Sequence, residues 1–489
     1  MTPYDPMSTP TPTSIATLRD FPDRLSPILV KELRQGLRQH GFVLLFIFLQ
    51  VIMAIVVFGS LAGSTPGSND GFRAGQTVSG FFFVLFLIAG LGVQPLRGLN
   101  ALAGEIRGDT IDLLLLTRLD AWRITFGKWL ALFSQTCLLL IAILPYLIMR
   151  YYLGGMQLFN ELLILFSLLV LSGTFTAITV GFSATPSIIL RILLGLGIAF
   201  PMATSLFGAG AAMIDGRGPL GRMFLSGSTF LWAYTGGVAV AVFTGYYFLE
   251  MGATRIAPPS ENRSTRKRLL GLAMLAITLY ILPWDPVARI IIGFLLTLML
   301  GFDALTENPE FTASVTRPFR RFRFPGKAAG MVLYPGWATG TIFILLPVAM
   351  LLYASLTTTS FGRDHDSIIG FGLLACTSLM FSAMFATLSR KGRQDTLPIF
   401  VVITLASYVL ALILYILGNA LDCEEAVAWF FPILPALGVV GVSELDREGG
   451  YPVLAAITFA LWWLALFLYG RSWRRSAWKF HESPVTSLR

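Results

Sequence analysis

The sequence predicts an all-α, polytopic membrane protein with about 12 transmembrane helices in two six-helix sets, preceded by an N-terminal amphipathic interfacial helix. Three observations predict this class. The 489 residues are 55% hydrophobic and 13% charged, with a mean hydropathy of +0.72, whereas soluble domains carry about 25% charged residues. Apolar runs near or above ~18 residues, which can cross a bilayer as helices, recur along the chain. Basic residues collect in the loops between alternate runs, as the positive-inside rule describes.

The predicted order of segments follows from these runs. Residues 1–25 are polar, which predicts a disordered tail and no signal peptide. The other predicted segments are an amphipathic helix at 26–40, a first six-helix set at 41–250 with a cytosolic loop at 100–128, a basic cytosolic linker at 251–268, a second six-helix set at 269–470 and a cytosolic tail at 471–489. The predicted crossings are roughly 41–63, 77–99, 128–149, 161–182, 187–212, 227–249, 269–284, 287–304, 336–358, 367–389, 397–418 and 451–470.

Charge and one broken apolar run decide the topology. With twelve crossings and both termini cytosolic, 29 of the 36 Lys and Arg residues are cytosolic. The run at 426–442 contains Pro432 and Pro435, and a thirteenth crossing there would move the basic C-terminus outside. We therefore predict that this run is re-entrant or interfacial. The net charge of +9 is matched to anionic lipid headgroups rather than to nucleic acid.

A short motif that occurs twice predicts an internal repeat. Leu144-Pro145 is followed by Tyr151, and Leu346-Pro347 is followed at the same distance by Tyr353. Each motif falls in the third predicted crossing of its six-helix set. The repeated motif indicates two six-span halves in parallel orientation. Alternatively, the motif recurs by chance, because these residue types are common in this chain.

The N-terminal amphipathic helix has two distinct faces. One face carries leucines, and the other carries Lys31, Arg34 and Arg38. Such a helix would lie at the inner membrane surface, with its basic side chains at the headgroups. Membrane anchoring and docking of a partner are both compatible with it. Its candidate residues are Leu29, Lys31, Glu32, Leu33, Arg34, Leu37 and Arg38.

The cytosolic loop at 100–128 contains an apolar cluster, Ile111 to Leu116, that is too short to cross a membrane. Asp109 can cap a short helix that begins at Thr110, and Asp112 also favours the helix N-terminus. The leucines would form an apolar ridge that has to be covered, either by a partner protein or by this protein's own helix ends.

These residues resemble a known family. The segment from Glu105 through Gly108-Asp109-Thr110 and the leucine cluster to Thr117, followed by Gly127-Lys128, is similar to the coupling loop of type-2 ATP-binding cassette (ABC) exporter permeases. The run from Pro27 to Arg34 resembles the connecting helix of that family. The resemblance covers roughly 26–250. Residues 269–489 resemble the family only in the layout of the crossings, because their inner loop at 305–332 is basic and contains proline in place of a leucine-rich helix.

The resemblance implies a transport subunit of the bacterial inner (cytoplasmic) membrane that docks a separate cytosolic ABC ATPase. ATP and Mg would bind the partner, because this sequence has no G-x-x-x-x-G-K-[ST] loop and should not be an enzyme itself. Either the chain supplies both permease halves or two copies pair, and the missing second coupling loop favours a pair. The implied docking residues are Glu105, Gly108, Asp109, Thr110, Asp112, Leu113, Leu114, Leu115, Leu116 and Thr117.

Three other classes stay open, of which one is a membrane scaffold with no transport of its own. An ion-coupled carrier would place carboxylates deep in the membrane, but the deep polar residues are uncharged. The deep polar residues are candidates for lining a transport pathway: Gln50, Gln135, Thr174 and Thr176. Residues of this kind more often form hydrogen bonds with their own or neighbouring helices than contact a substrate. A membrane enzyme acting on lipid-linked substrates would show clustered Asp, Glu or His, for which Asp364-His365-Asp366 is the nearest candidate. Three scattered cysteines and three scattered histidines predict neither disulfides nor a metal site.

Overall fold

The computed structural model describes most of the chain, and every regular element in the described part is a helix. The described residues are 27–63, 69–108, 120–151, 158–185, 187–193, 195, 227–258, 261, 263–282, 284, 286–308, 312–320, 322–357, 365–389, 396–441, 445 and 451–482. The tail predicted at 1–25 and most of the crossing predicted at 187–212 lie outside these ranges.

The helices are numbered in chain order. The first ten are α1 (Pro27–Arg38), α2 (His40–Ala62), α3 (Asn69–Leu87), α4 (Gln94–Gly98), α5 (Ala103–Arg107), α6 (Ala121–Tyr151), α7 (Leu158–Ser183), α8 (Gly227–Ile256), α9 (Arg263–Ala276) and α10 (Pro286–Thr306). The others are α11 (Ala313–Arg320), α12 (Arg323–Leu333), α13 (Trp337–Phe343), α14 (Leu345–Thr357), α15 (His365–Ser389), α16 (Thr396–Ala420), α17 (Glu424–Ala428), α18 (Pro435–Val440), α19 (Tyr451–Tyr469) and α20 (Arg471–Glu482). Wider π-helical turns at Ile88–Val93 and Ile277–Ile281 join α3 to α4 and extend α9.

Nine helices of the described part are long and apolar enough to cross a membrane. Each matches a predicted crossing: they lie in α2, in α3–α4, and in α6, α7, α10, α13–α14, α15, α16 and α19. The architecture is thus that of an all-α, multi-pass membrane protein. The predicted crossing 227–249 falls in α8, and 269–284 falls in α9 with its π-helical extension. Most of the predicted linker at 251–268 is also helical, as is the start of the predicted tail.

Helices α7 and α8 form the most extensive helix pair and run in the same chain direction. The Ser167 hydroxyl donates to the Tyr234 hydroxyl at 3.1 Å. Two turns further along both helices, the Thr174 hydroxyl donates to the Ala241 carbonyl at 3.0 Å. Because both contacts advance together, the two helices are parallel. Successive helices such as α9 and α10 are antiparallel, since Lys267 meets Asp303 and Gly271 meets Leu300.

Helices α15 and α19 form a second parallel pair. Gly370 lies against the Tyr451 ring, and eleven residues further along each helix the rings of Phe381 and Trp462 are 5.1 Å apart. Only one crossing, α16, separates these helices in the chain. A second crossing between α16 and α19 would make α15 and α19 antiparallel, so the segment at 424–441 returns to the end where it began.

That segment consists of two short helices, α17 and α18, joined by turns. The turn reaches the middle of α19, where the Trp462 indole donates to the Pro432 carbonyl at 3.0 Å. Ala428 and Gly441, at the two ends of the segment, are in contact. The described part of this segment therefore folds back on itself, and its re-entrant or interfacial position in the membrane stays a prediction.

Two hydrophobic cores follow the division into sets. One is built from α2, α3, α6 and α7, and another from α13 to α19. Outward faces of α2 and α16 carry exposed aliphatic and aromatic side chains along their length. A bilayer would cover these faces, because a soluble protein rarely exposes such large apolar areas.

Candidate functional site

One end of the bundle gathers the polar and charged contacts of both sets. There α1 packs beside the base of α6, with Ile28 near Gly127 and Gly36 near Gln135. Buried Lys128 of α6 holds two carboxylates: its Nζ lies 3.0 Å from Glu32 of α1 and 3.0 Å from Glu105 of α5. The ammonium therefore joins three elements that are far apart in sequence.

The faces of α1 agree with its amphipathic pattern. Lys31, Arg34 and Arg38 are exposed, and Leu29, Val30, Leu33 and Leu37 are half-buried. The buried positions, Ile28 and Gly36, face α6. The helix is thus docked on the bundle through one face, and its position at a membrane surface stays a prediction.

The predicted docking residues are only partly described. Residues 109–119, with Asp109, Thr110, Asp112, Thr117 and the leucines at 113–116, lie outside the described part of the chain. Glu105 is described and pairs with Lys128. Gly108 ends α5, where its amide donates to the Gly104 carbonyl at 3.1 Å. The docking role of this loop therefore stays a prediction.

Three of the four pathway candidates bond neighbouring helices. The Gln50 amide donates to the Ala142 carbonyl at 3.0 Å, and Thr174 bonds α8 as described above. Buried Gln135 accepts a hydrogen bond from Arg97, whose other amino group donates to Gln39 at 2.8 Å. Thr176 is fully buried, and its hydroxyl has no hydrogen-bond partner among the described residues. The contacts of the first three are those of helix packing.

A buried ion cluster, which the sequence did not predict, lies at the same end. Lys267 of α9 is 2% exposed, and its Nζ lies 2.8 Å from Asp303 and 3.4 Å from Glu307. The guanidinium of Arg268 lies 2.9 Å from the other oxygen of Glu307. The Tyr247 hydroxyl of α8 donates to Asp303 at 2.8 Å. These contacts fasten α9 to α10 and α8.

The cluster extends toward the first set through Arg263. Its guanidinium contacts Asp120, lies 3.3 Å from Glu250 and lies 2.7 Å from Glu261. Asp120 immediately precedes α6 and immediately follows the loop at 109–119. Glu250 is fully buried in α8, and Arg266 also reaches it at 2.7 Å. Arg263 therefore connects the base of α6 to the connection between the two sets.

Two carboxylates of this end, Glu307 and Asp120, have a lowered pKa. Burial alone would raise the pKa of Glu307, but the Lys267 and Arg268 charges, with the Ser264 hydroxyl and the Gly336 amide, lower it to about 2. Burial likewise opposes the ionisation of Asp120, and its hydrogen bond and charge interaction with Arg263 lower its pKa below the usual value. A polar cavity of about 140 Å³ borders the cluster at Ser264, Lys267 and Glu307, and water there can reach these groups.

Asp364 and the side chain of His365 lie outside the described residues, so that candidate catalytic cluster stays a prediction.

No protein-family model, curated protein or solved structure matches the chain. Function therefore has to be argued from the residues and their geometry.

Proposed function

We propose that the chain is the membrane-spanning permease subunit of an ATP-driven exporter of the type-2 ABC kind. It would dock a separate cytosolic ATPase subunit through 105–117 and would not hydrolyse ATP itself, so that ATP and Mg bind the partner. It would reside in the bacterial inner membrane with both termini in the cytosol.

The observation that carries this proposal is the double ion pair of Lys128 with Glu32 and Glu105. It brings the helix that resembles the connecting helix and the segment that leads into the docking loop onto the base of one helix. A force applied to the loop would reach α6 directly, because both flanks of the loop are fixed there: Glu105 before it and the start of α6 after it.

The directions of the helices support twelve crossings. The described helices fall into two groups of opposite direction. One group contains α2, α6, α9, α13–α14 and α16, and the other contains α3–α4, α7, α8, α10, α15 and α19. Because α7 and α8 are parallel, the chain between them has to return across the bilayer. This return supports the crossing predicted at 187–212. With twelve crossings, α1 and α20 would lie on the same side.

An ion-coupled carrier is the second candidate, and Asp303 is the residue that favours it. Asp303 is 3% exposed within a membrane-spanning helix and contacts both a lysine and a tyrosine, and buried carboxylates of membrane helices commonly mark ion pathways. It lies one turn from the end of α10, however, and Lys267 already neutralises it. Co-purification of an ATPase separates the two candidates.

The docking role is tested by replacing Leu113 and Leu115 with Asp. We expect the double variant to lose the co-purifying ATPase and to keep the elution profile of the folded permease in detergent, because two carboxylates in an apolar contact cannot be desolvated without a partner. The matched control places two carboxylates on exposed positions of α20, Ser472→Asp and Ser476→Asp. Equal ATPase recovery with the Leu variant and the control would overturn the docking role.

A further inference from the structure

The two six-helix sets have the same internal arrangement. Their members, in order, are α2, α3–α4, α6, α7, the crossing proposed at 187–212 and α8 in the first set, and α9, α10, α13–α14, α15, α16 and α19 in the second. In each set the fourth and sixth members form the most extensive contact, and they are parallel. In each set the third member also contacts the sixth.

The second and fourth members are parallel neighbours in both sets. In the first set the Ser172 hydroxyl donates to the Gly90 carbonyl at 2.6 Å, and Gly98 meets Thr179 further along. In the second set α10 and α15 contact each other in the same way: the rings of Phe294 and Phe371 are 5.6 Å apart, and further along both helices Gly301 meets Leu379.

The first and third members are parallel neighbours as well. Gln50 of α2 bonds Ala142 of α6 at 3.0 Å. In the second set the Tyr280 hydroxyl, in the extension of α9, donates to the Met350 carbonyl of α14 at 2.9 Å, and twelve residues earlier Arg268 reaches Thr339 of α13. Shared neighbours with shared directions are what a parallel internal repeat produces.

The carboxylates at the starts of the two loops obey the same repeat, whereas the cations that hold them lie on different members, Lys128 on the third and Lys267 and Arg268 on the first. Glu105 follows the second member of the first set and pairs with Lys128. Glu307 follows the second member of the second set and pairs with Lys267 and Arg268. The separation between positions 105 and 307 is 202 residues, the same as between the prolines at 145 and 347. Each set therefore carries a carboxylate, held by a buried cation, at the start of its loop between second and third members.

From this repeat we infer that one chain supplies both permease halves, and that the second docking surface for an ATPase subunit lies on the segment at 307–336, at the described residues Arg317, Phe322 and Pro325. This inference rests on the proposed function. The segment holds in the second set the place that the loop at 100–128 holds in the first. Its own sequence is basic, so it fits a partner pocket that is apolar at its centre and acidic at its rim.

The docking surface lies where the end of α11 packs against the start of α12. Phe322, just before α12, is 68% exposed, and Arg317 and Pro325 are exposed. Gly326 allows α12 to fold close to the Phe319 carbonyl, where a Cβ atom would lie at 1.9 Å. An exposed aromatic side chain at such a helix start is suited to enter a pocket of a partner.

The test is the composition of the purified complex, measured by native mass spectrometry. We expect one copy of this 53.6 kDa chain with two ATPase subunits. Phe322→Asp should leave one ATPase subunit, and the Leu113→Asp/Leu115→Asp variant should leave the other. Trp473→Asp is the matched control, because it places a carboxylate at another exposed aromatic position at the same end of the bundle and should leave both subunits bound.

Two copies of this chain in the complex, or two ATPase subunits on the Phe322→Asp variant, would overturn the inference while leaving the proposed function intact. If the wild-type chain carries no ATPase subunit, the proposed function fails and the docking surface fails with it. The mass of the chain alone then still decides the one-chain claim: a monomer supports it and a stable dimer contradicts it.

Discussion

Replacing Glu307 with Gln should remove the charge that fixes α9 against α10. Glu307 is 8% exposed and faces both Lys267 and Arg268. Its pKa falls from the ordinary 4.5 to about 2 in the folded protein, and each tenfold change in an ionisation constant corresponds to about 1.4 kcal/mol. The charged form is therefore favoured by about 3 kcal/mol. Removing one partner of a buried ion pair costs a similar ~3–5 kcal/mol, so two routes give the same magnitude.

The assay is equilibrium unfolding in mixed micelles, with Glu261→Gln as the control. Glu261 pairs with Arg263, but its side chain is 36% exposed, so we expect the control to lose less than ~1 kcal/mol. A Glu307→Gln variant as stable as this control would refute the reasoning, because the two buried cations would then not depend on Glu307.

The pH dependence of the same pair gives a second readout. Because folding lowers the pKa of Glu307, its stabilising contribution is fully present above pH 4.5 and is lost as the pH falls toward about 2. The stability difference between wild type and Glu307→Gln should therefore shrink across that range. A constant difference down to the acid limit would assign the loss to packing rather than to charge.

Three further predictions test the helix packing, the link between sets and the topology. Gly181→Ala should cost about 1–3 kcal/mol of unfolding free energy, because the new Cβ would lie 2.2 Å from the Phe248 carbonyl. The control Gly237→Ala should be neutral, because its Cβ would meet nothing within 4 Å. Equal effects of the two substitutions would contradict the parallel packing of α7 and α8. Arg263→Gln should cost about 3 kcal/mol in the same assay, and an unchanged midpoint would show that the contact with Asp120 does not join the sets. A variant that keeps Cys423 as its only cysteine should be labelled by an impermeant thiol reagent added outside intact cells. A variant whose only cysteine comes from Ser472→Cys should be shielded from the reagent, and labelling at position 472 would overturn the topology.

Hydropathy predicted most of the fold because the length of an apolar run is a direct physical requirement of the bilayer. The crossings at α2 and α16, whose outward faces meet lipid, carry the strongest signal. The break between α17 and α18 was also predictable, because Pro432 and Pro435 interrupt the apolar run. Helix partners were not predictable: nothing in the runs states that α7 packs on α8 in the same direction.

The ion cluster was missed because a basic run near a membrane has two physical outcomes. The net positive charge, to which the run from Arg263 to Arg268 contributes, was matched to lipid headgroups. Arg266 is 53% exposed but still pairs with Glu250 at 2.7 Å. Its neighbours Lys267 and Arg268 are 2% and 0% exposed. Helical geometry explains the difference, because positions 263 and 267, and 264 and 268, lie one turn apart on the side that faces the bundle.

The carboxylates opposite show the same spacing, which is the signal that could have revealed the cluster. Asp303 and Glu307 are four residues apart, where α10 ends and just beyond, so both project to one side of that helix. Basic residues one turn apart on α9 and acidic residues one turn apart at the end of α10 lie at the same end of a predicted helical hairpin. This arrangement favours ion pairs between the two helices over contact with lipid. This pairing requires the two helices to be antiparallel, which the short sequence separation between the predicted crossings at 269–284 and 287–304 favours. A basic run beside a membrane should therefore be assigned to lipid only after the neighbouring helix end has been searched for carboxylates at matching spacing.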